Sequence, residues 1–275
     1  MADNSKVEVC IGIPTLNGPE RLRRCLKALY RTTQHLFNPT IKILLSDDGS
    51  TPQNLEENKR LASFFDVDML TSSTRLGVPA QWNRLTRHTP ATTMIILTDD
   101  VEVVPDWFEV LVYSIVSNPQ AGMIGLKAFE GVTSEYFTPP KIASYNEAVM
   151  ERGVGFLAPT GFLFGFDRRK FDELGGFDEQ FFAFYEEVDL GLRMLEHGWP
   201  SYLLSYPIVL HQGGATTSDS SNIDAARVMA ESRTKFMAKH GGIQTKREQL
   251  CEPWIERHWP KPKQWNTMLK TWSDR

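Results

Sequence analysis

Residues 94–103 read MIILTDDVEV: an apolar run that ends on two adjacent carboxylates, Asp99 and Asp100, shortly before a turn at Pro105. The segment Thr92–Leu97 has the length and apolar continuity of a strand buried on both faces. Such strands belong to parallel sheets covered by helices. Like charges at a strand end repel unless a cation sits between them or they diverge into solvent. The stretch is therefore a metal site, a phosphate-facing strand end or a polar strand exit, and its neighbours must decide between these.

Working outward, strand and helix patterns alternate. Val7–Ile13 and Ile41–Leu45 are short apolar strands, Val67–Leu70 is a weaker one, and Glu20–Thr32 has helical spacing at Leu22, Cys25, Leu26 and Leu29. Thr51 and Pro52 fit an N-cap and first helical position. Val78–Arg87 is a short helix. This order predicts an α/β fold, with a mostly parallel, Rossmann-like central sheet and helices on both faces. Ligands bind such sheets beyond the carboxyl ends of the strands, where both Asp47-Asp48 and Asp99-Asp100 fall.

After Pro105 the pattern loosens. Trp107–Ser117 is helical, Met123–Phe129 and Phe162–Phe166 are strand-like, and Thr133–Arg152 is a long polar loop over the site. Arg168–Leu174 is a short helix, and Tyr185–His197 a clear one closed by Gly198 and Pro200. Tyr202–Leu204 and Pro207–Leu210 are two short strands, and Asn222–His240 is a helix. Residues 1–240 are expected to form one domain, regular over 1–103 and looser over 104–240. Residues 241–275 form a Trp-rich helical or irregular extension, carrying Trp254, Trp259, Trp265 and Trp272.

Composition narrows the function classes. With 41% hydrophobic and 23% charged residues in 275, the chain can build a sizeable core without staples. Its three cysteines, Cys10, Cys25 and Cys251, show no metal or disulfide spacing, which favours a reducing, cytoplasmic setting. No run reaches ~18 apolar residues and no leader pattern opens the chain. A net charge of −4 argues against nucleic acid as a partner.

Three constellations carry chemistry. Asp47-Asp48-Gly49-Ser50 is either a plain Asp-Gly turn or a carboxylate pair accepting from a nucleobase N–H or ribose hydroxyls. In Tyr185-Glu186-Glu187-Val188-Asp189-Leu190, acidic residues suit a first helical turn. Carboxylates crowded together beside Phe181, Phe182, Phe184 and Tyr185 should also titrate high, as a general base near neutral pH requires. His211, at a strand end before Gln212-Gly213-Gly214, is either structural or the completion of a metal or phosphate site. Arg21, Arg23, Arg24, Lys27 and Arg31 make the first helix basic, which is read as a solvated face.

Taken in order, these segments resemble an inverting, GT-A-type family two nucleotide-sugar glycosyltransferase. The resemblance is carried by Ile13-Pro14-Thr15-Leu16-Asn17, Ser46-Asp47-Asp48-Gly49-Ser50, Arg75-Leu76-Gly77 with Asn83, Leu97–Val103, Gly175-Gly176-Phe177-Asp178-Glu179 and Tyr185–Leu190, and it spans about residues 7–214. It implies a catalytic domain over 1–240, with 1–103 as its nucleotide-sugar half and 104–240 as its acceptor and catalytic half, in which Pro14, Thr15, Asn17, Asp47, Asp48, Arg75, Asn83, Thr98 and Asp99 surround the nucleotide-sugar. The Asp-x-Asp element falls on Thr98-Asp99-Asp100, with Asp100 as direct ligand of Mn²⁺ or Mg²⁺ and Asp99 facing the ribose or a metal-bound water. His211 would add a metal ligand, Glu187 with Glu186 beside it would be the catalytic base, and Gly161, Phe162 and Tyr185 would meet the acceptor. Thr98 replaces the element's first Asp, and Glu187 replaces the more frequent Asp.

The implied partners are a nucleoside-diphosphate sugar, UDP favoured, and a glycan, lipid-linked or protein acceptor. The tail is expected to pack on the domain, with a homo-oligomer contact or a membrane-surface contact as alternatives. The rival functions are a carbohydrate-binding or inactive member of the same fold and a nucleotidyltransferase. The latter is disfavoured because Ile13–Gly18 is not a glycine-rich phosphate loop.

Overall fold

The computed structural model describes residues 8–33, 41–134, 150–151, 159–213 and 224–241. Most of the expected loop 133–152 and nearly all of the Trp-rich extension lie outside them. Strand β1 (Val9–Thr15) leads to α1 (Pro19–Thr33), β2 (Ile41–Asp47), α2 (Pro52–Phe64), β3 (Asp68–Thr71), α3 (Val78–Arg87) and β4 (Thr93–Leu97). Then follow β5 (Val101–Glu102), α4 (Trp107–Ser117), β6 (Met123–Glu130), β7 (Met150–Glu151), β8 (Leu163–Asp167), α5 (Arg168–Glu173), α6 (Glu186–Glu196), β9 (Tyr202–His211) and α7 (Ala225–His240).

The strands form one sheet in the order β3-β2-β1-β4-β8-β6-β9-β5, with β7 pairing to β9. The first four are all parallel. β8 enters antiparallel between β4 and β6, β9 lies parallel to β6, and β5 and β7 run antiparallel to β9. The sheet is thus mixed but mostly parallel.

Strand alternation divides the core in two. Ile11, Ile13, Ile43, Leu45, Ile95 and Leu97 point to a layer completed by α1, α2 and α4, whose Leu22, Leu26, Leu29, Leu61, Trp107 and Leu111 are buried there. Cys10, Leu44, Met94 and Ile96 point to the other layer, filled by Trp82 and Leu85 of α3, Phe171 of α5, and Leu190 and Met194 of α6. All five residues of β4 are buried. At about 1.5–3 kcal/mol per large buried apolar side chain, this double burial outweighs the weak intrinsic preferences of so short a segment.

Several elements differ from expectation. The two short strands expected near 202–210 are one strand, because a register shift between Leu126 and Ala128 of β6 absorbs the irregular middle of β9. The two-residue strand β5, directly after the acidic pair, is too short to leave a period in the sequence. The helix expected from Asn222 begins at Ala225, with the Asp224 side chain accepting from Arg227 N at 3.0 Å.

Candidate functional site

β1, β2 and β4 end at one edge of the sheet, with Thr15 opposite Asp47 in register. Thr15, Asp48, Asp99 and Asp100 therefore come together although they are far apart in sequence. A cavity of about 410 Å³ opens there. Of the expected residues, Pro14, Thr15, Asp48, Arg75, Thr98, Asp99, Asp100, Gly161, Phe162, Glu186, Glu187 and His211 line it, while Asn17, Asp47, Asn83 and Tyr185 do not.

Those four are occupied elsewhere. Asp47 is wholly buried; its Oδ1 accepts from Gly49 N and Ser50 N, and its Oδ2 from Asn58. It is the turn residue and Asp48 is the cavity residue. Asn17 accepts from Thr51 N at 2.8 Å and from Asn54, bridging β1 to the start of α2. Asn83 exchanges hydrogen bonds with both the N–H and the C=O of Phe177, each at 2.9 Å, which ties α3 to the glycine turn. Tyr185 packs on Phe236 of α7.

Asp48 is held where the chain bends over it. Its carboxylate accepts from Leu76 N at 2.6 Å, Gly77 N at 3.3 Å and Gln81 Nε2 at 2.8 Å. Burial still raises its pKa against those bonds. Gln81 in turn accepts from Ser46. Arg75 lies over the Phe182 ring at 5.3 Å, so a cation and an aromatic face form one wall.

Asp99 and Asp100 diverge. Asp99 is 2% exposed: Thr15 Oγ1 donates to its Oδ2 at 2.7 Å, and Arg21 Nε faces its Oδ1 at 3.5 Å. Burial lifts its pKa to about 6, against the pull of Arg21. A Cβ at residue 18 would displace the Arg21 guanidinium from its place beside Asp99.

Asp100 accepts from Thr98 Oγ1 at 2.7 Å and faces His211 Nε2 at 3.4 Å. Burial opposes its charge, but His211 and Thr98 outweigh that and lower its pKa. For His211 burial acts downward, yet Asp100 and Glu130 together raise its pKa. Its Nδ1 lies 2.7 Å from Glu130, and its ring stacks on Phe162 at 4.2 Å.

These residues fit a divalent cation. Two ligands about 2.1 Å from an octahedral ion sit about 3 Å apart when adjacent, close to the 3.4 Å between Asp100 Oδ2 and His211 Nε2. Among the described residues no group of three or more His, Cys, Asp or Glu converges. Most of the coordination shell would then fall to diphosphate oxygens and water, the usual arrangement for Mg²⁺ and Mn²⁺ at nucleotides. Thr98 contributes a neutral oxygen at most.

Glu186 and Glu187 form the opposite wall at the N-terminus of α6. Burial raises both pKa values, and for Glu186 the neighbouring Glu187 charge adds to it. Each keeps a buried Oε2 with no hydrogen-bond partner among the described residues. Gly161 faces Glu187 so closely that an added Cβ would lie 3.3 Å from its Oε1. The preceding Phe184 and Tyr185 have φ of 68° and 69°. Left-handed backbone at such bulky residues costs on the order of 1–3 kcal/mol each and persists only when the surroundings enforce it. Helix α7 supplies that enforcement: Ser232 donates to Ala183 O, Lys235 to Gln180 O and Lys239 to Asp178, and His240 lies 2.7 Å from Asp189.

A parallel half with acidic strand ends, continued by antiparallel strands that bring in a helix-borne carboxylate pair, defines the GT-A class of fold. The model of glycosyl transferase family 2 matches residues 10–175, and the chain belongs to that family: it is a glycosyltransferase. It is 26% identical over 246 residues to N-acetylglucosaminyl-diphospho-decaprenol L-rhamnosyltransferase of Mycobacterium tuberculosis strain H37Rv, which covers 76% of this chain and 77% of that protein. It is also 26% identical over 229 residues to the O-antigen biosynthesis protein RfbC of Myxococcus xanthus, covering 76% and 18% respectively.

Two solved structures share the fold. The mannosyltransferase PcManGT from Pyrobaculum calidifontis, in complex with GDP-Man and Mn²⁺, gives a TM-score of 0.58 at 14% identity over 98% of this chain and 86% of that one. S. aureus TarS 1–349 gives 0.57 at 12% identity over 86% and 76%.

Several site residues gave no sign in the sequence. Of the cavity lining, Gln81 sits in an ordinary helical position, and Phe182 and Phe184 are noticeable only as aromatics. Arg21, which stands behind the cavity against Asp99, is hidden in a basic helix. Their roles depend on which elements the sheet order makes neighbours.

Proposed function

We propose that this chain transfers a sugar from a nucleoside-diphosphate sugar, with UDP the favoured nucleotide, to an acceptor hydroxyl with inversion at the anomeric carbon. One observation carries this reading: Glu186 and Glu187, each with an unpartnered buried oxygen, face the same cavity as Asp48, Arg75, Asp100 and His211. In a single displacement Glu187 takes the proton of the acceptor hydroxyl. The new O–C1 bond forms as the C1–O bond to phosphate breaks, and the nucleoside diphosphate leaves. Burial raises its pKa, the direction that suits a general base. Asp48 and Arg75 hold the nucleoside, and Phe182 walls the base. Mn²⁺ or Mg²⁺ at Asp100 and His211 would neutralise the charge of the leaving diphosphate.

The M. tuberculosis relative is named for a decaprenol-linked acceptor, and this favours a lipid-linked acceptor here among the glycan, lipid and protein alternatives. No described helix is long and apolar enough to cross a membrane. The test is titration calorimetry with UDP, with and without Mn²⁺, followed by a donor-hydrolysis screen over UDP-, GDP- and dTDP-sugars. Metal-strengthened UDP binding is expected, and the absence of binding by any nucleotide would sink the proposal.

A further inference from the structure

A second cavity, of about 660 Å³, lies between the outer face of α1 and the β5–β9 edge of the sheet, within the size range of small-ligand pockets. Arg24, Lys27 and Arg31 fall at i, i+3 and i+7, so they share a helix face. From sequence that face was expected to be simply solvated. In the structure it is one wall of a cleft whose facing surface is largely apolar, with Val103, Val104 and Pro105 after β5 and Pro207, Ile208 and Leu210 of β9, beside the polar Glu102, Ser134 and Tyr206.

The charges in this cleft are unbalanced. Glu102 is the one acidic residue in its described lining, and it is engaged by Ser134 N at 3.2 Å and by Arg24 at 3.7 Å. Arg23 and Arg24 also meet Glu20. Lys27 and Arg31 are exposed, and neither makes an ion pair or hydrogen bond with a described residue. Free cations at the rim of a hydrocarbon surface suit an amphiphilic anion. A wholly polar ligand would leave the floor uncovered, and a neutral lipid would leave the cations unanswered.

The cleft adjoins the carboxylate cavity. Leu210 lines the cleft and the next residue, His211, lines the other cavity; Glu102 lines the cleft and Asp100 lines the other cavity. At about 3.3 Å per strand residue, the separation is one to two residues of edge strand. Arg24 also donates to Gln212 at 2.8 Å, just beyond His211.

We propose that this cleft is the lipid subsite of the acceptor. Lys27 and Arg31 take the phosphate of a lipid-linked acceptor, and the surface from Val103–Pro105 and Pro207–Leu210 takes its first hydrocarbon units. The sugar attached to that phosphate then reaches round the β5–β9 edge toward Glu187. This rests on the reading of the chain as a transferase with a lipid-linked acceptor.

The test is calorimetry on the full chain without nucleotide and with divalent cations chelated, using geranyl diphosphate and inorganic pyrophosphate as probes. Geranyl diphosphate should bind at least about tenfold tighter than pyrophosphate because its chain leaves water. The surface variant Lys27→Glu/Arg31→Glu should weaken geranyl diphosphate at least about tenfold by reversing the charge that holds the anion. Ile208→Asp should erase the preference for the prenyl compound. UDP binding with Mn²⁺, measured in the same variants, should stay at the wild-type level, which also shows that they fold. Equal affinity for the two probes would reduce the cleft to an anion patch and overturn the proposal, as would wild-type geranyl diphosphate affinity in the charge-reversed variant. Failure of the transferase reading shows separately, as wild-type protein that binds no nucleotide.

Discussion

Nε2 of His211 lies 3.4 Å from Oδ2 of Asp100, while its Nδ1 is held 2.7 Å from Glu130 and its ring is stacked on Phe162. The imidazole is thus fixed from three sides, and a ligand oriented in this way binds metal more tightly than a free one. His211→Ala should weaken Mn²⁺-dependent UDP binding by about 10–100-fold, read by calorimetry. UDP binding without metal should change little, and equal losses with and without Mn²⁺ would remove His211 from the cation site.

Glu187→Gln keeps the shape of the side chain and removes its ability to accept a proton. Turnover should fall by about 10²–10⁴, equivalent to about 3–5 kcal/mol of barrier, with KM for the donor nearly unchanged. Glu186→Gln should have the smaller effect on kcat. Near-normal turnover in the Glu187 variant, measured by release of nucleoside diphosphate, would exclude it as the base.

Both glutamates bind protons more tightly in the folded chain than in the unfolded one, mainly because they are buried. The sign follows from linkage: where the folded state holds more protons, stability falls as pH rises. The stabilising contribution is fully present below the unfolded glutamate value and is lost as pH climbs through the folded one. Glu186→Gln should therefore raise Tm relative to wild type at pH 8 and have little effect near pH 4. A Tm difference independent of pH would contradict the buried, partnerless geometry. Activity should run the other way, rising with pH as the base gives up its proton.

Arg21 is 6% exposed and faces the buried Asp99. Arg21→Met removes the counter-charge and leaves a buried carboxylate without one, so unfolding free energy should drop by about 3–5 kcal/mol. Denaturant melts would reveal this. A loss below about 1 kcal/mol would mean that Asp99 draws its support from Thr15 alone.

Much of this molecule could be read in its sequence, for a physical reason. The parallel half announces itself because strands buried on both faces must be nearly continuously apolar, as Met94–Leu97 is, and because Thr51 and Pro52 carry capping chemistry. The Asp189–Arg193 pair of α6, four residues apart, forms at 2.8 Å as helical geometry dictates. Adjacent residues with the same chemistry were harder to separate. Asp47 and Asp48 look alike, yet one closes a turn and the other faces the cavity, since successive side chains leave a strand end in different directions. Asn17 and Asn83 are polar residues near the site whose hydrogen bonds are spent on the scaffold, and only the neighbours they meet across the fold show it. The cleft beside the basic stripe of α1 exists only because β9 stands opposite it.

Strand β8, more than sixty residues after β4 in the chain, lies directly against it and separates it from β6. The molecule is therefore interleaved rather than modular. A fragment ending near Val103 would keep the acidic strand ends at Asp48, Asp99 and Asp100 but leave β4, buried along its whole length in the intact chain, as an open edge, a template for pairing with other copies. The parallel half cannot be exchanged between relatives as a separate cassette, and recombination within this gene would preserve solubility only if β8 travelled with it.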